Sequence, residues 1–130
     1  MSRKVYNVSG EAVTKFPFSH AVESEDLLFL SGQPPMELET GKFIDGDFES
    51  QLKNCFKNLF EVVAVAGLTE EDVVKCTVFL IDMRDYPLMN EVYKKQFSAP
   101  LPARSCFAVS GLPLGARVEV EMIARKGKKA

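Results

Sequence analysis

The clearest alternation of apolar and polar residues lies between positions 48 and 66. Asp47, just before it, suits an N-cap, and Gly67, just after it, suits the left-handed residue that ends many helices. The apolar side chains recur at steps of three and four residues, which places them on one stripe of a helix. The pattern therefore predicts a helix over Phe48–Ala66, with the stripe formed by Phe48, Leu52, Cys55, Phe56, Leu59, Val62, Val63 and Ala66.

A second helix is predicted over Tyr86–Ser98. Pro87 suits its first turn, and Pro100 and Pro102 end it. Its predicted buried face consists of Tyr86, Met89, Tyr93 and Phe97.

Six further segments have the composition of strands, since they are short, rich in β-branched or alternating residues, and bounded by turn residues. Gly32 to Pro35 is predicted to stop the third of them, and Met36–Asp47 to form a loop. The predicted strands are Arg3–Val8, Ala21–Glu23, Leu27–Ser31, Val73–Ile81, Ala103–Val109 and Arg117–Arg125.

The resulting order, βββ-α-β-α-ββ, predicts an α+β domain. Two helical crossovers after a run of strands favour one mixed sheet with both helices on one face. The other face then lacks a cover within the chain. Such a face is often buried in an oligomer, so the pattern favours self-association.

Length and composition indicate a globular protein with a single domain over residues 1–130. Apolar residues make up 46% and charged residues 26%, as in ordinary globular proteins. The formal net charge of -2 and the pI near 5.5 argue against a general nucleic-acid binder, which carries a basic surface. We interpret the basic tail as a solvated end: Arg125, Lys126, Lys128 and Lys129.

No apolar run approaches the ~20 residues needed to span a bilayer. The first residues lack the apolar segment of a signal peptide. Cys55, Cys76 and Cys106 are an odd number of well-separated thiols. This spacing indicates reduced cysteines and predicts a cytoplasmic location without membrane attachment.

Most standard catalytic motifs are absent. The single histidine, His20, cannot supply a two-histidine metal site, and the cysteines lack zinc spacing. No glycine-rich nucleotide motif occurs. Nothing in the sequence places His20 beside Cys106 as a catalytic pair. We therefore expect neither metal nor cofactor, and interpret His20 as a polar residue at the start of a strand.

The most informative segment is Pro102-Ala103-Arg104-Ser105-Cys106-Phe107. Strand alternation puts Arg104 and Cys106 on one face, on a stiff base provided by the prolines. A guanidinium suits bidentate binding of a carboxylate. On the last strand Glu119 and Glu121 share a face. If the two strands come together, Arg104 could hold a substrate acid while a glutamate positions water.

Each of these residues also has a structural interpretation. A strand arginine is most often a surface or ion-pair residue, and Glu119 and Glu121 could be its structural partners. Cys106 alone is more often a small buried hydrophobic residue than a nucleophile.

The stretch from Pro102 to Ala124, PARSCFAVSGLPLGARVEVEMIA, closely resembles the signature of the Rid/YjgF family. Shorter family-like segments occur in order elsewhere, so the resemblance extends from about Phe16 to Arg125. They are Leu30–Pro34, Ala66–Leu68, Val74–Leu80 and Met89–Tyr93.

The resemblance implies a chorismate-mutase-like α+β fold that assembles as a homotrimer. Three sheets would form a central barrel, and three active sites would lie between subunits. The implied reaction is hydrolysis of reactive 2-imino or enamine acids to 2-keto acids and ammonia, without metal or cofactor.

The resemblance also implies roles for particular residues. Arg104 would anchor the substrate carboxylate, and Glu119 would orient the attacking water. Cys106 would line the pocket, mainly through its backbone. Ser31 and Gly32 would shape the pocket floor, and Asn90 would support the site by hydrogen bonding.

One position departs from the family pattern. Active deaminases of the family generally carry a pocket tyrosine in the segment that matches Phe16-Pro17-Phe18-Ser19, and Phe18 stands here in its place. The missing hydroxyl predicts a slower enzyme or a different preferred side chain. Two other functions remain open at this point: an endoribonuclease acting on single-stranded RNA, and a non-catalytic trimer that binds small carboxylates or acts as a holdase.

Overall fold

The computed structural model describes residues 3–8 and 16–126. The elements follow the order predicted from the sequence, and the α+β class with one mixed sheet is confirmed. Three short 3₁₀ turns lie at Glu70–Asp72, Met83–Asp85 and Pro113–Gly115. The strands and helices are β1 Lys4–Tyr6, β2 Ala21–Ser24, β3 Leu27–Gln33, α1 Phe48–Val65, β4 Val73–Leu80, α2 Tyr86–Tyr93, β5 Ala103–Ala108 and β6 Val118–Arg125.

The six strands form one sheet in the order β1-β2-β3-β6-β4-β5. Only β4 and β5 pair in parallel, because α2 carries the chain back across the sheet between them. The other pairs are antiparallel. β6 thus lies in the centre of the sheet, with β4 between it and β5.

Helix α1 forms where the sequence predicts it. The Asp47 carboxylate accepts a hydrogen bond from the Ser50 N–H at 2.8 Å, which caps the first turn. Gly67, at φ 79°, ends the helix in the left-handed conformation that glycine adopts without strain. The apolar stripe packs on β3 and β6, and its buried members belong to the main hydrophobic core.

Helix α2 is shorter than predicted, since it ends at Tyr93 instead of Ser98. The N–H groups after Lys94 bond three residues back, Lys95 to Val92 at 3.2 Å and Gln96 to Tyr93 at 2.9 Å, so the chain tightens into turns. Phe97 is nevertheless buried in the core. The apolar spacing therefore identified the buried face but not the end of the helix.

Strand β3 is longer than predicted, because it continues through Gly32 and Gln33. Its pairing with β6 shifts register between Leu30 and Gln33, which lets the strand bend and continue. Pro34, which has no N–H to donate, follows directly. β1 is shorter than predicted, and the remaining strand ends agree within one residue. Lys128 and Lys129 of the basic tail lie outside the described residues.

The sheet has one covered face and one open face. Both helices pack on the first, where the alternate β6 residues Val118, Val120 and Met122 are at most 1% exposed. Within residues 3–8 and 16–126, no element covers the second, here called the open face. It carries Phe29, 44% exposed, and Phe107, 47% exposed.

His20 ties the first strand to the sheet. The side chain is buried, and its Nδ1 accepts a hydrogen bond from the Val8 N–H at 2.9 Å. Its own N–H donates to Oδ1 of Asn7, also at 2.9 Å. Burial lowers the pKa of the imidazole below its usual 6.5, so the ring is neutral and free to accept.

We expect this imidazole to make folding sensitive to acid. Because its folded pKa lies below the unfolded value, the unfolded chain takes up the proton first, and the free energy of unfolding falls as pH drops below about 6.5. His20→Leu removes both the nitrogen that accepts the hydrogen bond from Val8 and the group that takes up the proton. The variant should be about 1–3 kcal/mol less stable at pH 7.5 and should lose the histidine part of the pH dependence. Urea unfolding at pH 7.5 and pH 5.5 measures both effects, and equal pH dependence in the two proteins would contradict the assignment.

Candidate functional site

Arg104 is held firmly near the start of β5. Its Nη1 donates to Oδ1 of Asn90 at 2.8 Å, and its Nη2 donates to the Tyr86 hydroxyl at 3.0 Å. Nη1 also lies 3.6 Å from Sδ of Met89. All three partners belong to α2, so the helix fixes the direction of the guanidinium.

Two aromatic rings complete the surroundings of Arg104. Its guanidinium carbon lies 4.9 Å from the ring centroid of Tyr93 and 5.5 Å from that of Tyr86. Both distances suit cation–π attraction. The rings stabilise the positive charge without neutralising it.

The guanidinium keeps donors for a ligand. Its Nε–H and one proton of Nη2 have no partner among the described residues, and no carboxylate of residues 3–8 and 16–126 forms an ion pair with it. Arg104 lines an open groove together with Asn90, Glu91, Tyr93, Lys94, Leu101 and Pro102. This arginine groove can therefore bind a small carboxylate.

Glu119 lies at the beginning of β6, on the open face. Its Oε1 is buried and has no hydrogen-bond partner among the described residues. Burial raises the pKa of this carboxyl, and the neighbouring charge of Glu121 raises it further. A partly buried carboxylate with an unsatisfied oxygen and a raised pKa is suited to act as a general base.

Gly32 makes room for the Glu119 carboxylate. A Cβ on Gly32 would collide with Oε2 of Glu119 and lie 3.1 Å from its Cδ. Beside it, the Ser31 hydroxyl donates to the Ser19 carbonyl at 2.7 Å. Ser31 thus holds the preceding segment against β3, and glycine at position 32 lets the carboxylate approach the strand.

An apolar cleft opens next to Glu119. Phe18 is 41% exposed in its wall and stacks on Phe16, with ring centroids 6.1 Å apart. Among the described lining residues, Glu119 is the sole charged group. The lining consists of Phe16, Phe18, Gly32, Pro34, Met36, Pro113, Leu114 and Glu119.

The arginine groove and the apolar cleft lie on opposite faces of one sheet. Arg104 pairs with Cys76 of β4 and points to the covered face, whereas Glu119 pairs with Phe79 and points to the open face. Their positions differ by two strands across the sheet, at about 4.8 Å each, and by three residues along it, at about 3.3 Å each. Their Cα atoms therefore lie roughly 14 Å apart. The condition that β5 and β6 come together is therefore not met within one chain, because β4 separates them.

Cys106 shares the covered face with Arg104, as strand alternation predicts. It is half-buried against the core, and burial raises the pKa of its thiol. The side chain is therefore a protonated thiol at neutral pH, which is a poor nucleophile. It lines neither the arginine groove nor the apolar cleft.

Several residues of these two surfaces do not follow from the sequence alone. Tyr86 and Tyr93 were predicted as core residues of a helix, yet both contact the guanidinium of Arg104. Their spacing around Asn90 was an available signal. Pro113 and Leu114 were predicted only as a turn, and nothing in the sequence indicated that the turn reaches the cleft.

Residues 3–8 and 16–126 contain neither a membrane-spanning helix nor a cluster of metal ligands. None of the helices there is long and apolar enough to cross a membrane. No group of three or more histidine, cysteine, aspartate or glutamate side chains in that part of the chain is arranged to hold a metal ion.

This chain has many relatives of similar sequence. The family model described as endoribonuclease L-PSP matches residues 10–126. The 2-iminobutanoate/2-iminopropanoate deaminase of Mus musculus is 38% identical over 125 residues, covering 96% of this chain and 93% of the mouse protein. The chloroplastic Reactive Intermediate Deaminase A of Arabidopsis thaliana is 43% identical over 108 residues, which are 83% of this chain and 58% of the plant protein.

Solved structures share the fold over nearly the whole chain. A Rid-family protein from Yersinia pestis superposes with a TM-score of 0.89 at 34% identity, covering 95% of this chain and 99% of that one. The YjgF gene product of E. coli gives a TM-score of 0.86 at 31% identity, again covering 95% and 99%.

Proposed function

Because this chain belongs to the Rid/YjgF family, whose family model is described as endoribonuclease L-PSP, we propose that it hydrolyses 2-imino and enamine acids to 2-keto acids and ammonia. The named relatives in mouse and Arabidopsis support a deaminase role in general. The observation that carries the proposal is the Arg104 guanidinium, fixed by Asn90 and Tyr86 with N–H donors left for a carboxylate.

The proposed reaction needs only water and the side chains present. Glu119 accepts a proton from a water molecule whose oxygen bonds to the imine carbon, while the imine nitrogen takes a proton from solvent water, which gives a neutral carbinolamine. Glu119 then returns its proton to the amino nitrogen. The C–N bond breaks, ammonia leaves, and the hydroxyl proton passes to solvent. One imine and one water thus give one 2-keto acid and one ammonia. Arg104 holds the carboxylate, so the imine carbon stays beside the attacking water.

Arg104 and Glu119 of one chain cannot serve the same substrate. The carboxylate and the imine carbon of a 2-imino acid are directly bonded, whereas the two side chains point from opposite faces of the sheet. We therefore assign each active site to two copies of the chain, with Arg104 from one and Glu119 from the next. A homotrimer built on the open faces would bury Phe29 and Phe107 in a central barrel.

Other candidate residues take supporting roles in this proposal. Asn90 orients Arg104, and Gly32 gives the Glu119 carboxylate its place. Ser31 fixes the segment that carries Phe18, and Phe18 contacts the substrate. Cys106 contributes backbone beside Arg104. The chain acts as one domain, without cofactor, and its free thiols favour the cytoplasm.

The test is an assay with imines made in situ. An L-amino-acid oxidase generates 2-iminopropanoate or 2-iminobutanoate, and semicarbazide traps the imine that remains. The purified protein should lower the trapped fraction in proportion to its concentration, and heat-denatured protein should not. Trapping that is unchanged at micromolar protein would overturn the deaminase proposal. Binding of pyruvate without turnover would instead favour a carboxylate-binding module.

A further inference from the structure

We propose that the apolar cleft beside Glu119 selects 2-imino acids with a large apolar side chain, aromatic ones above all, over the one- and two-carbon side chains of 2-iminopropanoate and 2-iminobutanoate. This inference rests on the proposed deaminase function, because it places the side chain of that same substrate. The cleft is defined here by Phe16, Phe18, Pro34, Met36, Pro113 and Leu114.

The lining of the cleft identifies the chemistry of its occupant. Phe18 and Leu114 are 41% and 44% exposed, although both side chains are apolar. Neither proline has an N–H to offer, and the two phenylalanine rings and the methionine present only carbon and sulfur. A polar group placed there would lose its water without gaining a partner. An apolar group would release water from both surfaces.

The size of the cleft fits a ring. Its volume is about 150 Å³. An apolar cavity of about 150 Å³ in another protein stays dry and binds benzene. The Phe18 ring is stacked on Phe16 at an interplanar angle of 18°, and both rings line the cleft, where Phe18 remains 41% exposed. A phenyl side chain can pack on these rings in the offset or edge-to-face geometry that aromatic rings prefer.

The position of Glu119 connects the cleft to the reaction. It lines the same cleft, so a substrate whose imine carbon lies beside this carboxylate has its side chain next to the apolar wall. The methyl group of 2-iminopropanoate would leave most of the wall in contact with water. A benzyl group would cover it and exclude water from all but the Glu119 end.

Leu114 lines the same cleft as Phe18. Its φ of 65° lies in the left-handed region, which a bulky residue adopts only when its surroundings require it. The turn Pro113–Gly115 thus places the Leu114 side chain in the wall of the cleft. We assign Phe18 and Leu114 as the residues that determine side-chain specificity.

The experiment compares imines that differ only in the side chain. The same oxidase generates them from alanine, leucine and phenylalanine, and kcat/KM is measured for each. Because one methylene in an apolar pocket is worth about 10–200-fold, we expect the phenylalanine-derived imine to exceed 2-iminopropanoate by at least about 10-fold, mainly through a lower KM. Equal values, or a preference for the small imine, would overturn this inference and leave the deaminase function intact.

Two substitutions test the assigned residues. Leu114→Trp fills the cleft, and Phe18→Ala removes the stacking surface. In both, the ratio of kcat/KM for the aromatic imine to that for 2-iminopropanoate should fall about 10-fold or more. Val65→Ala, on the exposed side of α1, is the control and should keep the wild-type ratio. A wild-type ratio in both cleft variants would show that the side chain binds elsewhere.

Product binding separates this inference from the proposed function. Saturation-transfer NMR measures how tightly phenylpyruvate and pyruvate bind to the folded protein, and it requires no turnover. One possible result is that phenylpyruvate binds more tightly than pyruvate, that Leu114→Trp loses this difference, and that no imine is hydrolysed. This result would retain the assignment of the cleft and overturn the deaminase function. Equal binding of both keto acids would contradict the proposed selectivity of the cleft, whether or not the protein hydrolyses imines.

Discussion

Arg104→Ala should lower kcat/KM for 2-iminopropanoate by about 10²–10³-fold, because it removes the charge-assisted bonds proposed to hold the substrate carboxylate. The loss should affect kcat as well as KM. A substrate without its anchor binds more weakly and also presents its imine carbon less often to the attacking water. The measurement is the semicarbazide assay described above, run at several imine concentrations.

Matched variants separate charge from geometry. Arg104→Lys keeps the positive charge but loses the planar fork, so its activity should lie between those of the wild type and Arg104→Ala. Arg84→Ala is the control, since Arg84 is an exposed arginine whose side chain pairs with Asp82. It should retain wild-type activity. Wild-type activity of Arg104→Ala, with normal size and folding, would remove Arg104 from the site.

Tyr86→Phe tests how the guanidinium is positioned within this same series. The substitution keeps the ring, 5.5 Å from the guanidinium carbon, and deletes the hydroxyl that accepts from Nη2. Its effect should be a higher KM with a smaller change in kcat, well short of the loss in Arg104→Ala.

The elements of this fold follow from local patterns, and their arrangement does not. The sequence alone predicts α1 well, because its signals are local: the N-cap Asp47, the apolar stripe and Gly67 just after the helix. The placement of β4 between β6 and β5 depends on pairings between residues far apart in the chain, such as Phe79 with Glu119. Strand alternation predicts which neighbours share a face but not which strands are adjacent.

The candidate site shows the same division. Arg104 and Glu119 could be singled out by residue type and by resemblance to the Rid/YjgF family. The sequence alone could not show that they lie on opposite faces of the sheet, because this separation results from the order of the strands. Tyr86 was predicted as a buried helix residue, since its spacing fits the core; only the folded chain brings its hydroxyl to Arg104.

Glu119→Gln is the second substitution with a large expected effect, a fall in kcat of about 10²–10³-fold through loss of the general base. The raised pKa of Glu119 predicts that wild-type kcat/KM declines, as pH falls, at a higher pH than for an ordinary glutamate. Glu121 contributes to that rise, so Glu121→Gln should move the decline to lower pH and leave the plateau activity in place. An unchanged pH profile in Glu121→Gln would contradict this coupling.

The same substitution should stabilise the fold. Because the folded pKa of Glu119 is raised, the folded state holds its proton more tightly than the unfolded state does. This contribution favours folding at low pH and is lost as pH rises from the unfolded to the folded pKa. At pH 7 the ionised, partly buried carboxylate therefore costs stability, and Glu119→Gln should unfold at a higher temperature than the wild type. Activity lost together with stability would indicate a structural role instead.

Mixing the two inactive variants tests whether each site is shared. An Arg104→Ala subunit retains Glu119, and a Glu119→Gln subunit retains Arg104. If a site takes one residue from each of two neighbours, random trimers from equal co-expression contain an intact pair at about one quarter of their sites. About a quarter of wild-type activity should then return. Sites within single chains would return none, because every chain lacks one of the two residues. Recovery of activity would thus explain how side chains on opposite faces of one sheet act on a single imine.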